Sequence, residues 1–411
     1  MPFLLAPLFA QLITIGVQDR TETRHVALND RHYEAQTTPN AKLTLSWKHS
    51  DLALRYGTSL LVLPLESRSR DLLVYHTAGF DWSYRLRRTT FTFTDTTSYG
   101  EVNFQTLALN TPAAAPAEQP TDTPGEPAPT PTPGEQAPGT VRQVKLLNNT
   151  VQNVTSVTSL NVTHKATRQL QFGGGATYSL SGGANEAAQR DYPLVKSLSF
   201  TLFGVHKTRL STHDSLLLNA NVLDTWASNK TNKNHSTTAY VTDTWQHAFN
   251  RRSFSYLGGG LSMLRLSQDT GLTAYTILPT ALAGIGHNER LARGTLTLQL
   301  GAFSAPVPDQ LRGTVDPRVG ANALLAWARD RFRTALAGNA TASLADRDDL
   351  GAFDGYAASS VTTYQFNDWV GAELGGRLAK QVFQRQTLLP LSYGVFVALT
   401  FGYDWKLGGR H

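Results

Sequence analysis

The sequence predicts an all-β protein: a transmembrane antiparallel up-and-down β-barrel of about eighteen strands, with sixteen as the alternative count. Three observations predict this fold. Apolar and polar residues alternate with a period of two along most of the chain. Tight, mostly basic turns alternate with longer, mostly polar connections. The composition is 41% hydrophobic and only 17% charged, and Thr, Ser, Asn, Gln and Gly fill the difference, which suits strands with one apolar and one polar face.

The composition also excludes several classes of protein. The 411 residues include no Cys, which excludes a disulfide scaffold, a thiolate metal site and a Cys nucleophile, and suits export through an oxidising compartment. No apolar run approaches the roughly 18 residues that a membrane-spanning helix needs. The net charge of +6 lies in scattered short clusters, so we expect no nucleic-acid partner.

The first ten residues, MPFLLAPLFA, are typical of the end of a secretory signal, because an apolar stretch closes on the small residue Ala10. No Lys or Arg precedes the stretch, so the true start and the cleavage of 1–10 stay open. The alternative is a buried N-terminal strand. We predict a signal segment followed by one barrel domain over 11–405 and a tail over 406–411.

Alternation is longest near the C-terminus, where Leu391, Tyr393, Val395 and the following odd-numbered residues to Tyr403 are apolar. The same criterion predicts strands at about 11–20, 41–48, 51–63, 71–86, 89–102, 145–164, 167–180, 194–205, 208–225, 237–248, 251–266, 272–286, 293–303, 319–328, 332–344, 354–366, 369–382 and 391–405.

Two kinds of connection join these strands. The tight turns are predicted at 48–51, 87–89, 164–166, 206–208, 249–252, 287–290, 329–331 and 367–368. The longer connections are predicted at 21–40, 64–70, 103–144, 181–193, 226–236, 267–271, 304–318, 345–353 and 383–390. Both chain ends then fall on the side of the tight turns, which is the periplasmic side in such barrels.

One low-complexity segment, 111–140, lies inside the connection 103–144. It holds nine of the nineteen prolines and no Lys or Arg. Such a segment cannot bury a core, so we predict a disordered, solvated spacer outside the cell. A polyproline ligand for a partner is the alternative.

A soluble β-sandwich also alternates, and three features favour the membrane. Aromatic residues gather near the predicted strand ends, as interfacial girdles require. The other face is polar and small rather than strongly charged. Eighteen strands in an open soluble sheet would also leave unpaired edges, which closure removes.

The whole chain resembles a Gram-negative bacterial outer-membrane β-barrel in hairpins such as YRLRRTTFTF, VTHKATRQLQF and HAFNRRSFSY. Its last strand, LSYGVFVALTFGYDW, resembles the C-terminal signal that barrel-assembly machinery reads. The resemblance implies the outer membrane, with its lipids and the assembly machinery as partners. In size and strand count the chain is more loosely similar to barrels that accompany polysaccharide-export systems, which implies a periplasmic export subunit and a polysaccharide as partners.

Motifs for catalysis are missing from the sequence, which has no GxxxxGK[ST], GxSxG or HExxH. We therefore expect no enzyme, no cofactor and no metal site. Gly173–Gly175 and Gly258–Gly260 lie inside predicted strands, where glycine permits close strand approach. Several of the eleven histidines lie near predicted turns as interfacial side chains. A hydrolase built around His76, or around His213 with Asp214, is an alternative without supporting spacing.

Two sets of residues are the candidates for function. Side chains out of phase with the apolar alternation should face the lumen: Arg85, Gln169, Gln171, Asn219, Asn221, Asn322, Glu373, Arg377 and Asp404. Basic residues at the tight turns should form a periplasmic rim: Lys48, Arg87, Arg88, Lys165, Lys207, Arg251, Arg252, Arg290, Arg293, Arg329 and Arg331.

The polar lumen favours a passive conduit for hydrophilic material, with polysaccharide export as a specific form of it. The alternative is a non-conducting structural or surface-binding barrel that acts through its extracellular loops. The rim is interpreted first as headgroup anchoring, and otherwise as a positive vestibule for an anionic polymer or an acidic periplasmic partner.

Overall fold

A computed structural model describes residues 12–27, 31–63, 71–103, 150–191, 194–228, 233–268, 273–291, 293–309, 314–344, 353–383 and 386–407. The predicted signal segment 1–10, the proline-rich segment 111–140 and residues 408–411 lie outside these ranges. None of the helices in the described ranges combines the length and the apolar character that would let it cross a membrane.

The described residues form nineteen strand segments. They are β1 (Leu12–Ala27), β2 (Arg31–Thr37), β3 (Asn40–Ser46), β4 (Ser50–Leu63), β5 (Asp71–Arg85), β6 (Thr89–Asn103), β7 (Thr150–Lys165), β8 (Leu170–Gly183), β9 (Val195–Arg209), β10 (Asp214–Ser228), β11 (Lys233–Ala248), β12 (Ser253–Gln268), β13 (Thr273–Leu291), β14 (Gly294–Asp309), β15 (Thr314–Arg329), β16 (Phe332–Ser343), β17 (Phe353–Gln365), β18 (Val370–Phe383) and β19 (Gln386–Leu407). One short helix, α1 (Glu186–Asp191), lies in the predicted connection 181–193.

The segments close into one antiparallel barrel. Each strand pairs with its neighbour in the chain, and β1 pairs with β19 from Ile13↔Leu407 to Ala27↔Tyr393. The segments β2 and β3 share one position between β1 and β4, so the nineteen segments make eighteen strands. Closure leaves no edge strand. The predicted fold class, an eighteen-stranded up-and-down barrel, is confirmed.

The predicted connection 21–40 was wrong, because most of it is strand. The first strand continues to Ala27, and β2 returns beside it. The return strand is interrupted at Thr38–Pro39, where proline has no amide hydrogen for the ladder. The Thr38 amide instead donates to the Arg20 carbonyl at 3.0 Å, and the Thr58 amide donates to the Pro39 carbonyl at 3.0 Å. Apolar alternation is lost here because charged residues occupy one face.

Several other connections are shorter than predicted. The connection 304–318 contracts to 310–313, and 383–390 contracts to 384–385. Beyond the membrane both strand faces meet water, so apolar alternation ends while the backbone ladder continues. The predicted tail is also wrong at its start. Lys406 and Leu407 continue β19 because Thr14 and Ile13 of β1 are opposite them.

The predicted turns at 206–208 and 287–290 lie within strands, and the turns follow them a few residues later. Between β9 and β10 the Ser211 hydroxyl accepts the amides of His213 and Asp214 at 3.0 and 2.9 Å, and donates to the Asp214 carboxylate at 2.6 Å. A hydroxyl group that accepts local backbone amides fixes the position of this turn. Arg209 also contributes, because its Nε donates to the Ser211 carbonyl at 2.9 Å.

The pairing register fixes the two faces of the barrel. On β9 the outward residues Leu198, Phe200 and Leu202 are 38%, 45% and 67% exposed, and the residues between them are Ser199 and Thr201. An apolar outer face of this extent needs lipid to cover it.

Outward tryptophans mark the limits of the apolar belt. On neighbouring strands β10 and β11, Trp245 lies opposite Leu216, and Trp226 lies ten residues further along β10. Ten residues span about 33 Å along a strand, and about 25 Å along the barrel axis at the usual tilt. This is the height of the lipid-facing band of an outer-membrane barrel.

Candidate functional site: the inner wall of the barrel

Most of the candidate lumen residues share the inner face. The ladders place eight of them on this face, opposite the apolar outer one: Arg85, Gln171, Asn219, Asn221, Asn322, Glu373, Arg377 and Asp404. Gln169 lies instead in the turn 166–169, where its amide donates to the Thr167 hydroxyl at 3.1 Å. Glu373 and Arg377 belong to one charged network, and Asn219 and Asn221 are neighbours on β10. The others are distributed around the wall, so they form a lining and not one pocket.

Between β5 and β10 the inner wall is a ladder of paired hydroxyl groups. The pairs and their oxygen–oxygen distances are Thr77–Ser98 at 2.9 Å, Thr94–Ser159 at 2.6 Å, Ser179–Ser197 at 2.7 Å and Ser199–Thr225 at 3.0 Å. Each group satisfies its neighbour and keeps lone pairs for water. These pairs therefore make the wall hydrophilic without adding charge of their own.

Inward aromatic rings lie against glycines of the adjacent strand. A Cβ atom on Gly173 would meet Phe203 Cζ at 2.7 Å, and one on Gly375 would meet Phe396 Cζ. The same relation joins Phe254 to Gly286, Tyr256 to Gly284 and Phe303 to Gly320. Glycine leaves room for each ring to lie along the wall. The rings are thus held out of the lumen by five small residues.

Six charged side chains form a network on one side of the inner wall, which we call the seam network: Arg20, Glu22, Arg24, Glu34, Glu373 and Arg377. Arg24 Nε contacts Glu34 Oε2 at 2.5 Å and its Nη1 contacts Glu22 Oε1 at 3.3 Å. Arg20 bonds to Glu22, and its Nε contacts Glu373 Oε2 at 3.0 Å. Three arginines and three glutamates balance one another, as buried charges require.

The ring of Phe396 lies at the centre of the seam network. The guanidinium carbons of Arg20 and Arg377 lie 5.2 and 5.1 Å from the ring centroid, within range of cation–π attraction. Glu34 is completely buried and Arg24 is 6% exposed, although both face the lumen. The network therefore fills the wall between β18 and β2.

Four of the six network residues were missed by sequence reasoning. Arg20, Glu22, Arg24 and Glu34 lie at the end of the predicted first strand or in the predicted connection 21–40. A signal for them exists, because charged residues at positions 20, 22 and 24 repeat with a period of two. Apolar alternation was the criterion applied, and it cannot detect a face of paired charges.

Two further ion pairs lie on the inner wall nearer the tight turns. Arg55 Nη2 contacts Asp81 Oδ2 at 2.7 Å, and Arg85 bonds to Asp51. Both pairs are partly exposed, with side-chain exposures between 34% and 64%. Water that reaches them screens their attraction, so their charges contribute to the field of the lumen more than to stability.

All eleven candidate rim residues lie at the tight-turn end. Lys165, Lys207 and Arg290 are on ladder positions that face the lumen, while the others lie in the turns or beside them. Adjacent turns are joined by backbone hydrogen bonds, such as Lys165 N to Arg88 O and Lys207 N to Gln169 O, both 2.8 Å. The rim is therefore a continuous collar.

The collar is strongly positive. In the turns and the strand ends beside them, Lys and Arg outnumber Asp and Glu by sixteen to six, counted over 47–51, 85–89, 164–171, 206–215, 247–253, 287–295, 328–333, 365–370 and 404–407. Arg252 bonds to Glu289, which neutralises one of these charges. A mouth lined by one sign of charge focuses the field and concentrates ions of the opposite sign.

The alternative of catalysis around Asp214 has the wrong order of groups. The Asp214 carboxylate lies between Ser211 and His247, at 2.6 Å from the hydroxyl and 2.8 Å from the imidazole. Nucleophilic catalysis needs the imidazole between the hydroxyl and the acid. His213 bonds to the Ala248 carbonyl, and His76 to Tyr56. Within the described ranges no group of three or more potential metal ligands converges.

The sequence comparisons find no relative: no protein-family model matches this chain, and no curated protein matches it. Solved structures do match. The FrpB iron transporter from Neisseria meningitidis, F3-3 variant, aligns with a TM-score of 0.53 at 9% identity over 93% of this chain and 63% of its own. The F5-1 variant aligns with a TM-score of 0.54 at 9% identity, over 92% and 64%.

The chain spans somewhat less than two thirds of the length of these structures. At such low identity the likeness concerns the fold and not the cargo. The structures are Gram-negative outer-membrane β-barrels. With the closed eighteen-stranded barrel and its lipid-facing belt, the likeness in fold confirms the predicted resemblance to Gram-negative outer-membrane β-barrels.

Proposed function

We propose that this barrel is a passive conduit for hydrophilic material across the outer membrane, working without a cofactor. The positive collar at the periplasmic mouth favours anionic solutes, and an acidic polysaccharide on its way out is the specific cargo that fits it. A periplasmic export subunit with an acidic surface would dock on the same collar. The barrel is not proposed to catalyse a reaction.

The observation that carries this proposal is the inner wall. Paired hydroxyls offer hydrogen bonds to water or to sugar hydroxyls without holding an ion tightly. Inward rings lie against glycines of the adjacent strand, which keeps them close to the wall. A barrel of this strand number is wide enough for an aqueous channel when its interior is not plugged.

The test is single-channel conductance of the purified, refolded protein in a planar bilayer. We expect steady steps, and a reversal potential in a salt gradient that shows preference for anions. The double variant R87E/R88E reverses two collar charges and should shift the reversal potential towards cations. The control K196E/K233E changes the net charge by the same amount as R87E/R88E. Its two residues lie on the outer face, away from the lumen, so the anion preference should stay unchanged.

If protein shown to be folded gave no conductance in the bilayer, the conduit proposal would be overturned. That result would support the second candidate, a non-conducting barrel that acts through its extracellular loops. One observation favours that candidate. Glu34 and Ala398 face inward and yet are 0% and 1% exposed, so the interior is filled beside the seam network. A loop deletion that abolishes partner binding while permeability stays unchanged would then be the expected result.

A further inference from the structure

The outer surface of the barrel carries a cavity that a conduit does not need. It has a volume of about 530 Å³ and lies across β8–β12 at the end of the barrel away from the tight turns. Its lining includes Lys196, Lys233, His235, Trp226 and Tyr178, and none of the described residues that line it carries a carboxylate. Because the cavity lies on the outer face, its use is independent of whether the lumen conducts.

The ladders arrange the lining in rows across the strands. Ser228 of β10 is directly opposite Lys196 of β9 and Lys233 of β11, so two lysines flank one small residue. The next row towards the membrane holds Leu198, Trp226 and His235. Cationic groups therefore lie above an aromatic row.

Neighbouring groups hold the aromatic row in place. The rings of Trp226 and His235 are parallel within 6° with centroids 4.6 Å apart. His235 Nε2 lies 2.8 Å from Asp224 Oδ1, and the Thr237 hydroxyl donates to the same oxygen at 2.6 Å. The Asp224 carboxylate is thus engaged one row below the cavity, and the lysines above it form the charged edge.

The position of the cavity coincides with the outer boundary of the apolar belt. Trp226 lies about 25 Å along the barrel axis from Trp245, the outward tryptophan at the tight-turn end. On the membrane side of the cavity, the outward residues Phe200 and Leu202 are 45% and 67% exposed. A ligand here would meet positive charge at its head, aromatic faces in the middle and apolar surface below.

We propose that this cavity binds the headgroup of a phosphorylated glycolipid of the outer leaflet. The ammonium groups of Lys196 and Lys233 match phosphate, as basic clusters at a membrane surface do for anionic lipids. The faces of Trp226 and Tyr178 match sugar rings at the headgroup level. Acyl chains would descend over Phe200 and Leu202.

The test is native mass spectrometry of the detergent-purified protein with bisphosphorylated lipid A as the probe. We expect a lipid adduct that survives dilution for the parent chain, and a K196Q/K233Q variant whose affinity is lower by roughly 10- to 30-fold. The matched control K380Q removes an outward lysine of β18, outside the cavity, and should bind like the parent.

Two further probes show whether the cavity recognises the phosphate of a lipid or free phosphate. Dephosphorylated lipid A should bind as weakly as K196Q/K233Q binds the full lipid. Inorganic phosphate in excess should not displace the lipid, because it has no acyl chains to bury on the belt. Equal binding by the parent and K196Q/K233Q, or displacement by inorganic phosphate alone, would overturn the proposal. Heat-modifiable electrophoretic mobility verifies that each variant is folded.

Discussion

Burial separates the ion pairs of this barrel into two groups. Glu34 is fully buried against Arg24 in the seam network, whereas Asp51 and Arg85 near the tight turns are 36% and 64% exposed. A buried charge that loses its partner has no water to replace it, while an exposed one does. The two groups should therefore respond differently to the same chemical change.

Replacing Glu34 by Gln should destabilise the barrel by about 3 kcal/mol, because it removes a charge partner of the buried Arg24 guanidinium. The free energy of unfolding is measured by urea titration of protein refolded into lipid vesicles. The control Asp51→Asn makes the same isosteric change in an exposed pair and should cost less than about 1 kcal/mol. Equal losses in the two variants would contradict a stabilising role for the seam network.

At the scale of elements, the sequence predicts strands better than the connections between them. The strands β4, β5 and β6 lie within one residue of their predicted bounds, because lipid on one face and water on the other impose alternation. The segment β2 was missed because its inner residues are polar and charged. The turn after β9 was displaced because the Ser211 hydroxyl accepts the Asp214 amide and donates to its carboxylate, which fixes the turn after the basic residues.

The connection between β6 and β7 offers a test of whether the barrel can fold without its proline-rich segment. The two strands pair without interruption from Thr89↔His164 to Asn103↔Thr150, so their register is complete before the connection begins. Deleting 111–140 should therefore leave the barrel folded, with unchanged heat-modifiable mobility and β-type circular dichroism.

The control for this deletion removes 211–213, the turn that joins β9 to β10. That deletion removes the Ser211 hydroxyl, which accepts the backbone amides of His213 and Asp214, and should reduce the yield of folded protein. A barrel that refolds without 211–213 but not without 111–140 would contradict the assignment of the proline-rich segment as a spacer.

At the scale of the whole molecule, charge is distributed unevenly along the barrel axis. The collar carries a large excess of Lys and Arg, while the seam network on the inner wall balances its charges. The collar should therefore control which ions enter, and it should act through its field at a distance. Such a field is sensitive to salt.

The anion preference of the conduit should decrease as salt rises. The Debye length falls from about 10 Å at 0.1 M to about 3 Å at 1 M, so at high salt the collar charges no longer reach the middle of the mouth. Reversal potentials measured at a constant concentration ratio, first at low and then at high KCl, give the permeability ratio. A preference that stays constant would place the selective charges inside a narrow constriction instead.

The candidate lining was predictable in part. A period of two identifies residues such as Asn322 and Arg377 as inward once the strands are known. The seam network was not predictable, since its members come from β1, β2 and β18, and only closure of the barrel brings Arg20 to Glu373. Sequence alternation describes one strand at a time and contains no information on which strands meet at the end.

Closure also has a consequence for the order of folding. Nearly all strands pair with a neighbour along the chain, and such local contacts form first. The pairing of β1 with β19 joins the two ends of the chain and closes the longest loop, so it should form last. A slip of two residues at this step would keep every side chain on its own face but would separate Arg20 from Glu373. The ion pairs of the seam network therefore select the correct register of β1 against β19 when the barrel closes.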